Sequence, residues 1–321
     1  MLDEKGTFTS IFDKRNNREV LKNGQRGNVL TAYEDYPREY DNWEMSSYYT
    51  EKHWEADNVE NVEILNEGER AGLKITKKFK NSTIVQNIYL YNNIDKIDFE
   101  TYIDWKESHL ILKTAFPVDV NTNKATYDIQ FGSVERPTHK NTSWDAARFE
   151  VCAHKYCDLS EYGYGVSLLN DCKYGSSVRG SDMRLSLHRG GTHPDPAGDF
   201  GVHEMTYSLL PHCGDFCVQN VVCPAYELNT PVIVAPGALK APLAAPVLVD
   251  ADNVIVEAVK PAEDIENAYV VRLYEAERAR TVTALTFPAD VKKVVESNML
   301  EEAIAEVALT DGAAEVTFKP F

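Results

Sequence analysis

Apolar and polar residues alternate along most of the chain. In KIDFETYIDW, Ile97, Phe99, Thr101, Ile103 and Trp105 fall on one face, and Asp98, Glu100 and Asp104 fall on the other. In DMRLSLHRG, Met183, Leu185 and Leu187 oppose Arg184, Ser186 and His188. HEMTYSLL, NVIVEAV, YVVRLYEA and TVTALTF keep the same period of two. Successive side chains of a strand point to opposite faces, so this pattern predicts half-buried antiparallel strands. Asn23-Gly24, Asn92-Asn93, Gly190-Gly191 and Asp311-Gly312 are turn dipeptides that punctuate them. Helical periodicity is scarce. The best stretch is NMLEEAIAEVAL, where Leu300, Ile304 and Val307 form a stripe, and it reads equally well as extended chain.

One seam interrupts the pattern. TPVIVAPGALKAPLAAP, from Thr230 to Pro246, is rich in Pro and Ala and carries no charge pattern. It divides the chain into a large β sandwich over 1–230, a linker or crossover over 231–246, and a small β-sandwich over 247–321. A length of 321 residues suits one large domain and one smaller one. The last residues follow directly on the strand-like AEVTF, which reads as a chain cut short.

Charge narrows the partners. Fifty acidic residues against 33 basic ones give a net charge of -17, a field that repels nucleic acid and anionic membrane. A neutral ligand such as a sugar is indifferent to it. No apolar run is long enough to span a bilayer, and the opening MLDEKGTFTS has no signal-peptide core, so the expected location is cytoplasmic. The cysteines are Cys152, Cys157, Cys172, Cys213, Cys217 and Cys223. The CxxxC of Cys213 and Cys217 invites a zinc reading but lacks the second short-spaced pair of a closed site. The plainer expectation is reduced, mostly buried thiols.

Three loops combine aromatic rings with short polar groups. Tyr40-Asp41-Asn42-Trp43 follows EDYPRE, Trp144 lies in NTSWDAARFE, and NDCKYG follows the strand-like VSLL. A sugar packs its C–H face on an aromatic ring and presents its hydroxyls to carboxylates and amides, so these loops point to carbohydrate. The alternatives are a Trp144 that closes the sandwich edge and an NDCKYG turn that only docks a neighbouring domain. The long loop RGGTHPDPAGDFGVHE is of the kind that carries function. Its His193, Asp195, Asp199, His203 and Glu204 fit no compact metal-ligand spacing. No phosphate-cradling glycine loop, dinucleotide fingerprint, GxSxG or HExxH is present. Spacing alone selects no glycosidase pair from fifty acids.

Several longer segments are shared with a known family. IFDKRNNREVL, GQRGNVLTAYEDYPREYDNWE, YIDWKESHLILKTAFPVDV, TYDIQFGSVERPTHKNTSWDAARFEV, DLSEYGYGVSLLNDCKYG, HEMTYSLLPH, LYEA and the terminal KPF resemble the C-terminal β-domains of glycoside hydrolase family 38 α-mannosidases, in their cytosolic and bacterial branch. The resemblance implies an all-β fold, a large galactose-mutarotase-like super-sandwich followed by a small β-sandwich. It implies a retaining, zinc-dependent α-mannosidase whose nucleophile, acid/base and zinc ligands lie mostly in an N-terminal α/β barrel and the helical domain after it. No part of this sequence resembles that barrel. The chain is therefore expected to hold no catalytic residue and no cofactor of its own, with zinc in the catalytic domain.

The same resemblance implies that loops of the β-domain complete the sugar pocket. The residues in matching places are Asp41, Trp43, Asn170, Asp171 and Lys173, with Asp195 in the long loop. Their roles would be hydrogen bonds to hydroxyls, ring stacking, or contact with the barrel. The implied partners are an α-mannoside, the N-terminal catalytic domain of the same enzyme and, as a further option, a second copy of the chain. Two rival functions stand beside this one. One is a free-standing carbohydrate-binding module. The other is a mutarotase-like epimerase, which needs a base and an acid facing one ring, with Glu135 and His139 or His154 as candidates.

Overall fold

The structure, a computed structural model, describes residues 1–237 and 244–320. Residues 238–243 of the seam and Phe321 of KPF lie outside the described residues. The chain divides into two compact units. The first comprises Met1–Ile129, Val134–Phe216 and Cys223–Thr230; the second comprises Gln130–Ser133, Cys217–Val222 and Pro231–Phe321. Two short segments upstream of the seam thus belong with the second unit.

The first unit carries a nine-stranded and a six-stranded sheet. The larger sheet runs Gly132–Pro137, Lys124–Ile129, Tyr156–Glu161, Tyr164–Asn170, Gly201–Cys213, Ile97–Trp105, Ser82–Tyr91, Arg70–Phe79 and Asn58–Glu67. The smaller runs Val151–Cys152, Gly175–Arg179, Asp182–Arg189, Leu110–Pro117, Thr31–Glu34 and His53–Glu55. Alternation shows in burial with one exception. Ile97, Phe99, Thr101, Ile103 and Trp105 are buried, and Glu100, Tyr102 and Asp104 are not. Asp98, expected outside, is buried as well, where it accepts from the Ser208 and Tyr91 hydroxyls and pairs with Lys96. The same holds for Met183, Leu185 and Leu187, although a register shift between Ser186 and His188 turns His188 inward as well.

Phe99 stacks on Tyr207 at 4.8 Å and meets Phe116 at 5.5 Å in the centre of this core. A polar network crosses the core beside them. The Tyr207 hydroxyl donates to Asn28 Oδ1 (2.6 Å) and accepts from Gln86 Nε2 (2.7 Å), while Asn28 Nδ2 donates to Gln86 Oε1 (3.0 Å). Thr114 and Thr101 supply further hydroxyls to Asn28 and Gln86. All five residues are buried, and each finds partners, which is the condition for keeping polar groups in a core.

The second unit holds a three-stranded sheet of Leu248–Val249, Thr281–Thr286 and Ala313–Phe318, and two strand pairs, Val254–Pro261 with Tyr269–Glu275 and Val294–Ser297 with Ala303–Val307. Asp311 and Gly312 both have positive φ, 50° and 81°, and Thr310 and Ala313 exchange both backbone hydrogen bonds. That is the mirror-image turn that asparagine, aspartate and glycine favour. In NMLEEAIAEVAL the chain is extended from Ala303 to Val307, with Leu300 and Ile304 exposed.

Three short helical segments depart from the all-strand pattern: Ser143–Ala147, Val218–Val222 and Cys223–Asn229. Thr142 caps the first by accepting from the Asp145 backbone N–H. The cysteines correct the expectation of mostly buried thiols. Cys157 alone of the six is buried, Cys217 is half-buried, and Cys152, Cys172, Cys213 and Cys223 are exposed. Polar loops and strand ends carry most of them, where no core is available to cover them.

Candidate carbohydrate-facing site

Strand register gathers the candidate loops at one end of the first unit. Gly201 pairs with Trp105, Asn170 with Tyr207, Arg189 with Ile111, and Glu34 with Leu110. The connections 35–52, 106–109, 171–174 and 190–200 all leave from that end. Gly190 and Gly191 are glycines because other chain passes too close for a side chain. A Cβ on Gly191 would lie 1.8 Å from Asn42 Oδ1, and one on Gly190 would lie 2.2 Å from the Glu107 carbonyl.

Asp41 locks the 35–52 loop to the long loop. Its buried carboxylate accepts from the Thr192 backbone N–H (3.0 Å) and the His193 backbone N–H (2.6 Å), and from the Thr192 hydroxyl (3.3 Å). His109 Nδ1 lies 3.0 Å from Asp41 Oδ2. Burial opposes ionisation of this carboxyl, but the backbone donors and His109 outweigh it and hold the group below the ordinary aspartate value. Beneath the loop, Asp35 is fully buried and paired in bidentate fashion with Arg189 (2.6 and 3.0 Å). Burial pushes the Asp35 carboxyl up in spite of that guanidinium. Arg189 also donates to the Glu44 carbonyl.

With the bracing done from below, the upper side of the loop pair is free. Trp43 is 71% exposed and stacks on Tyr40 at 5.2 Å, and Tyr40 stacks on His193 at 5.1 Å. Tyr36 stacks on His109 at 4.3 Å. A recess of about 140 Å³ is lined by Asn42, Arg189, Asp195, Gly198 and Asp199. Exposed ring faces and a recess with two carboxylates and an amide are the two chemistries a sugar needs.

The NDCKYG turn uses its polar groups differently. Asn170 is buried; its Nδ2 donates to the His154 carbonyl (2.7 Å) and its Oδ1 accepts from the Lys173 backbone N–H (2.8 Å). Asp171 is half-buried, and its Oδ2 accepts from the Thr206 backbone N–H at 2.9 Å, while Oδ1 is buried with no hydrogen-bond partner. Although Cys172 is exposed as a residue, desolvation of its sulfur and then the Asp171 carboxylate push the thiol up to about 12, which favours the protonated form. Lys173 is half-buried beside His188. His188 packs against Trp105 (5.2 Å) and His203 (4.3 Å). Burial first, then His203 and Lys173, hold its imidazole down at about 3.

The structure thus brings Asp41, Trp43 and Asp195 together across two interlocked loops. Asn170, Asp171 and Lys173 form a separate turn at the same end. Sequence reasoning named Tyr40 and Asn42 only as part of the aromatic-polar loop, and His193 and Asp199 only among possible metal ligands, and chose none of the four as a sugar contact. Tyr40 and Asn42 adjoin the chosen Asp41 and Trp43, and the long loop supplies the other two. Trp144 is 78% exposed on its short helix and does not close the sandwich edge.

The metal and epimerase sets scatter. His193 stacks on Tyr40, and His203 Nε2 contacts the Asp199 carbonyl at 2.7 Å. No group of three or more His, Cys, Asp or Glu among the described residues is arranged to hold a metal ion. The residues present therefore do not fit a zinc site. Glu135 is paired with Lys124 (2.7 Å), His139 lies 3.8 Å from Asp145, and His154 packs edge-on against Tyr174.

Comparison with known proteins agrees with this architecture. Residues 1–197 match the family described as "Glycosyl hydrolases family 38 C-terminal domain", and residues 253–321 match "Glycosyl hydrolases family 38 C-terminal beta sandwich domain". The chain is 38% identical to human alpha-mannosidase 2C1, with all of this chain and 32% of the relative aligned. It is 36% identical to alpha-mannosidase G of Dictyostelium discoideum, over 94% of this chain and 29% of the relative. An alpha-mannosidase from Enterococcus faecalis V583 shares the fold at a TM-score of 0.76 and 17% identity, over 99% of this chain and 40% of that one. The chain spans about a third of the length of the curated relatives it matches. It belongs to glycosyl hydrolase family 38 and comprises the C-terminal, all-β domains of that family.

Proposed function

We propose that this chain works as the non-catalytic C-terminal portion of a retaining α-mannosidase, and that its 35–52 and 190–200 loops complete a sugar pocket opposite an N-terminal catalytic domain. The observation that carries this reading is the exposed Trp43–Tyr40–His193 ring stack beside the recess of Asn42, Asp195 and Asp199. The rings face solvent, the carboxylates are within the same loop pair, and Asp41 holds both in place without facing outward. Trp43 would stack on a sugar ring and Asp195 would accept from a hydroxyl. Neither transfers a proton. Zinc would belong to the catalytic domain, since the His and Asp residues of the long loop do not converge. All six cysteines are free thiols, the state that a reducing cytoplasm maintains, and we place the protein there.

An aryl α-mannoside assay tests the reading. With added zinc, this chain alone is expected to give no turnover. Fused to the N-terminal portion of human alpha-mannosidase 2C1, it is expected to restore turnover. Hydrolysis that follows the chain alone through purification would overturn the proposal.

A further inference from the structure

A second cleft, of about 270 Å³, lies between the 136–151 segment and the strands Gly175–Arg179 and Asp182–Arg189. Its lining is basic in a chain of net charge -17. Arg184 is held by Asp182 at 2.6 Å and Arg148 by Asp145 at 3.2 Å. Arg136, Lys140 and Arg179 also line it, and among the described residues none of the three has a carboxylate at ion-pair distance. Arg136 Nε is buried with no acceptor. Lys140 is held below the ordinary lysine value by burial, then by Arg179 and Lys113. Like charges packed together without a counter-ion are unfavourable, and a bound anion removes that cost.

The cleft also has an unanswered acceptor. Asp182 Oδ2 is taken by Arg184, and Asp182 Oδ1 is buried with no donor. A buried carboxylate oxygen beside three free cations calls for a ligand that is an anion at one end and a hydroxyl donor at the other. Phe149 adds an apolar face, with Lys140 Nζ 5.9 Å from its ring centre. A cleft of about 270 Å³, just under the roughly 300–1,000 Å³ range of small-molecule sites, has room for one monosaccharide unit.

We propose that this cleft binds a phosphorylated sugar, with Arg136, Lys140 and Arg179 around the phosphate and Asp182 Oδ1 accepting from a ring hydroxyl. Two arginines and a lysine match the several oxygens of a phosphomonoester dianion better than the two of a single carboxylate. The proposal stands independently of the mannoside reading, because none of the residues assigned to the ligand belongs to the 35–52 or 190–200 loops, although Tyr49 and Thr50 line the cleft.

Calorimetric titration of the whole chain with mannose 6-phosphate, inorganic phosphate and mannose tests it. Mannose 6-phosphate is expected to bind saturably and at least about tenfold more tightly than either of the others, the equivalent of one charge-assisted hydrogen bond. Arg136→Gln and Lys140→Gln should each weaken it by about tenfold or more, with melting temperatures unchanged. Absence of saturable binding at about 10 mM ligand would overturn the proposal, as would binding that both variants leave intact. Equal affinity for inorganic phosphate would overturn the assignment of Asp182 to a sugar hydroxyl. Asp182→Asn, which keeps the side-chain shape, should bring the two affinities together if that assignment is right.

Discussion

The 35–52 and 190–200 loop pair and the NDCKYG turn sit at the same end of the sandwich and look alike in sequence. Each puts carboxylates, amides and aromatic rings into a few residues. They differ in where the polar atoms go. In the turn, the Asn170 amide and the Asp171 carboxylate answer backbone groups of Lys173, Thr206 and residue 154. In the loop pair, Asp41 answers the backbone N–H groups of Thr192 and His193 by itself. Trp43 and Tyr40 are left facing outward, and so is Asp195, which spends only Oδ1 on the Ala197 backbone N–H (3.0 Å). Every buried backbone N–H and C=O needs a partner, and a turn with no strand neighbour must find it in side chains. A polar turn therefore reports first on its own backbone. Free chemistry lies where one residue does the bracing.

The largest expected effect is at Asp41. Asp41→Ala leaves two backbone donors without their acceptor, at about 1–3 kcal/mol each, so the loss should reach about 3 kcal/mol. Denaturant melts give the magnitude, and hydrogen exchange at Thr192 and His193 shows whether the loss is local. Acid should produce the same release. The folded-state carboxyl lies below its ordinary value of 3.8, so its contribution is present above that pH and is lost as pH falls through the folded value. A loss below about 0.5 kcal/mol would mean that Asp41 does not brace the loops, and the contrast with NDCKYG would collapse.

Within the turn, Asn170→Ala removes two side-chain hydrogen bonds from a buried position and should cost about 2–3 kcal/mol. Lys173→Ala should cost no more than about 0.5 kcal/mol, because the ammonium braces nothing. The reverse order would make Lys173 the structural residue and return Asn170 to the pocket.

His188 links the two regions, since it packs on His203 at the root of the long loop and beside Lys173 of the turn. Its folded value, about 3, is below the ordinary 6.5. The unfolded chain then takes the proton first, so stability is fully present above pH 6.5 and is lost as pH falls towards 3. At pH 5 the loss attributable to this residue should be about 2 kcal/mol, and a His188→Phe chain should lack that part of the acid slope. Identical slopes in the two chains would show that His188 is not held neutral by its neighbours.

What the sequence shows and hides follows from range. The strand Ile97–Trp105 was legible because its five inward residues recur at every second position, and side-chain alternation is a local property. The burial of Asp98 on the other face, set by Ser208 from 110 residues away, was not legible. Asp311-Gly312 was legible for the same reason. Ser143–Ala147 was not, although Thr142 and Asp145 form a cap, because one turn is too short to show a period. The facing of the carboxylates was also hidden. Asp41 and Asp195 sit in equally polar loops. Asp41 points inward because the Thr192 and His193 N–H groups meet it from 151 and 152 residues away. The Asn28–Gln86–Tyr207 network joins residues as far as 179 apart and leaves no mark on any short window. The family resemblance pointed to these loops, and only the fold sorted bracing from outward-facing residues within them.

The smallest effect on stability, and the sharpest test of the comparison, is expected at Trp43. The indole is 71% exposed and touches Tyr40 on one face, so Trp43→Ala should change the stability of this chain by less than about 0.5 kcal/mol. In an α-mannosidase that contains the chain, the free face would stack on sugar. Loss of a stacking contact of about 1–1.5 kcal/mol should lower kcat/KM by roughly tenfold, and Trp43→Phe should recover part of it. Asn170→Ala should do the opposite, lowering stability while leaving turnover per folded enzyme nearly unchanged. If Trp43→Ala leaves kcat/KM intact in folded enzyme, the outward rings do not meet substrate and the loop pair is as structural as the turn. If instead this chain alone binds mannose and Trp43→Ala abolishes that binding, the site needs no second domain, and the free-standing module becomes the better account.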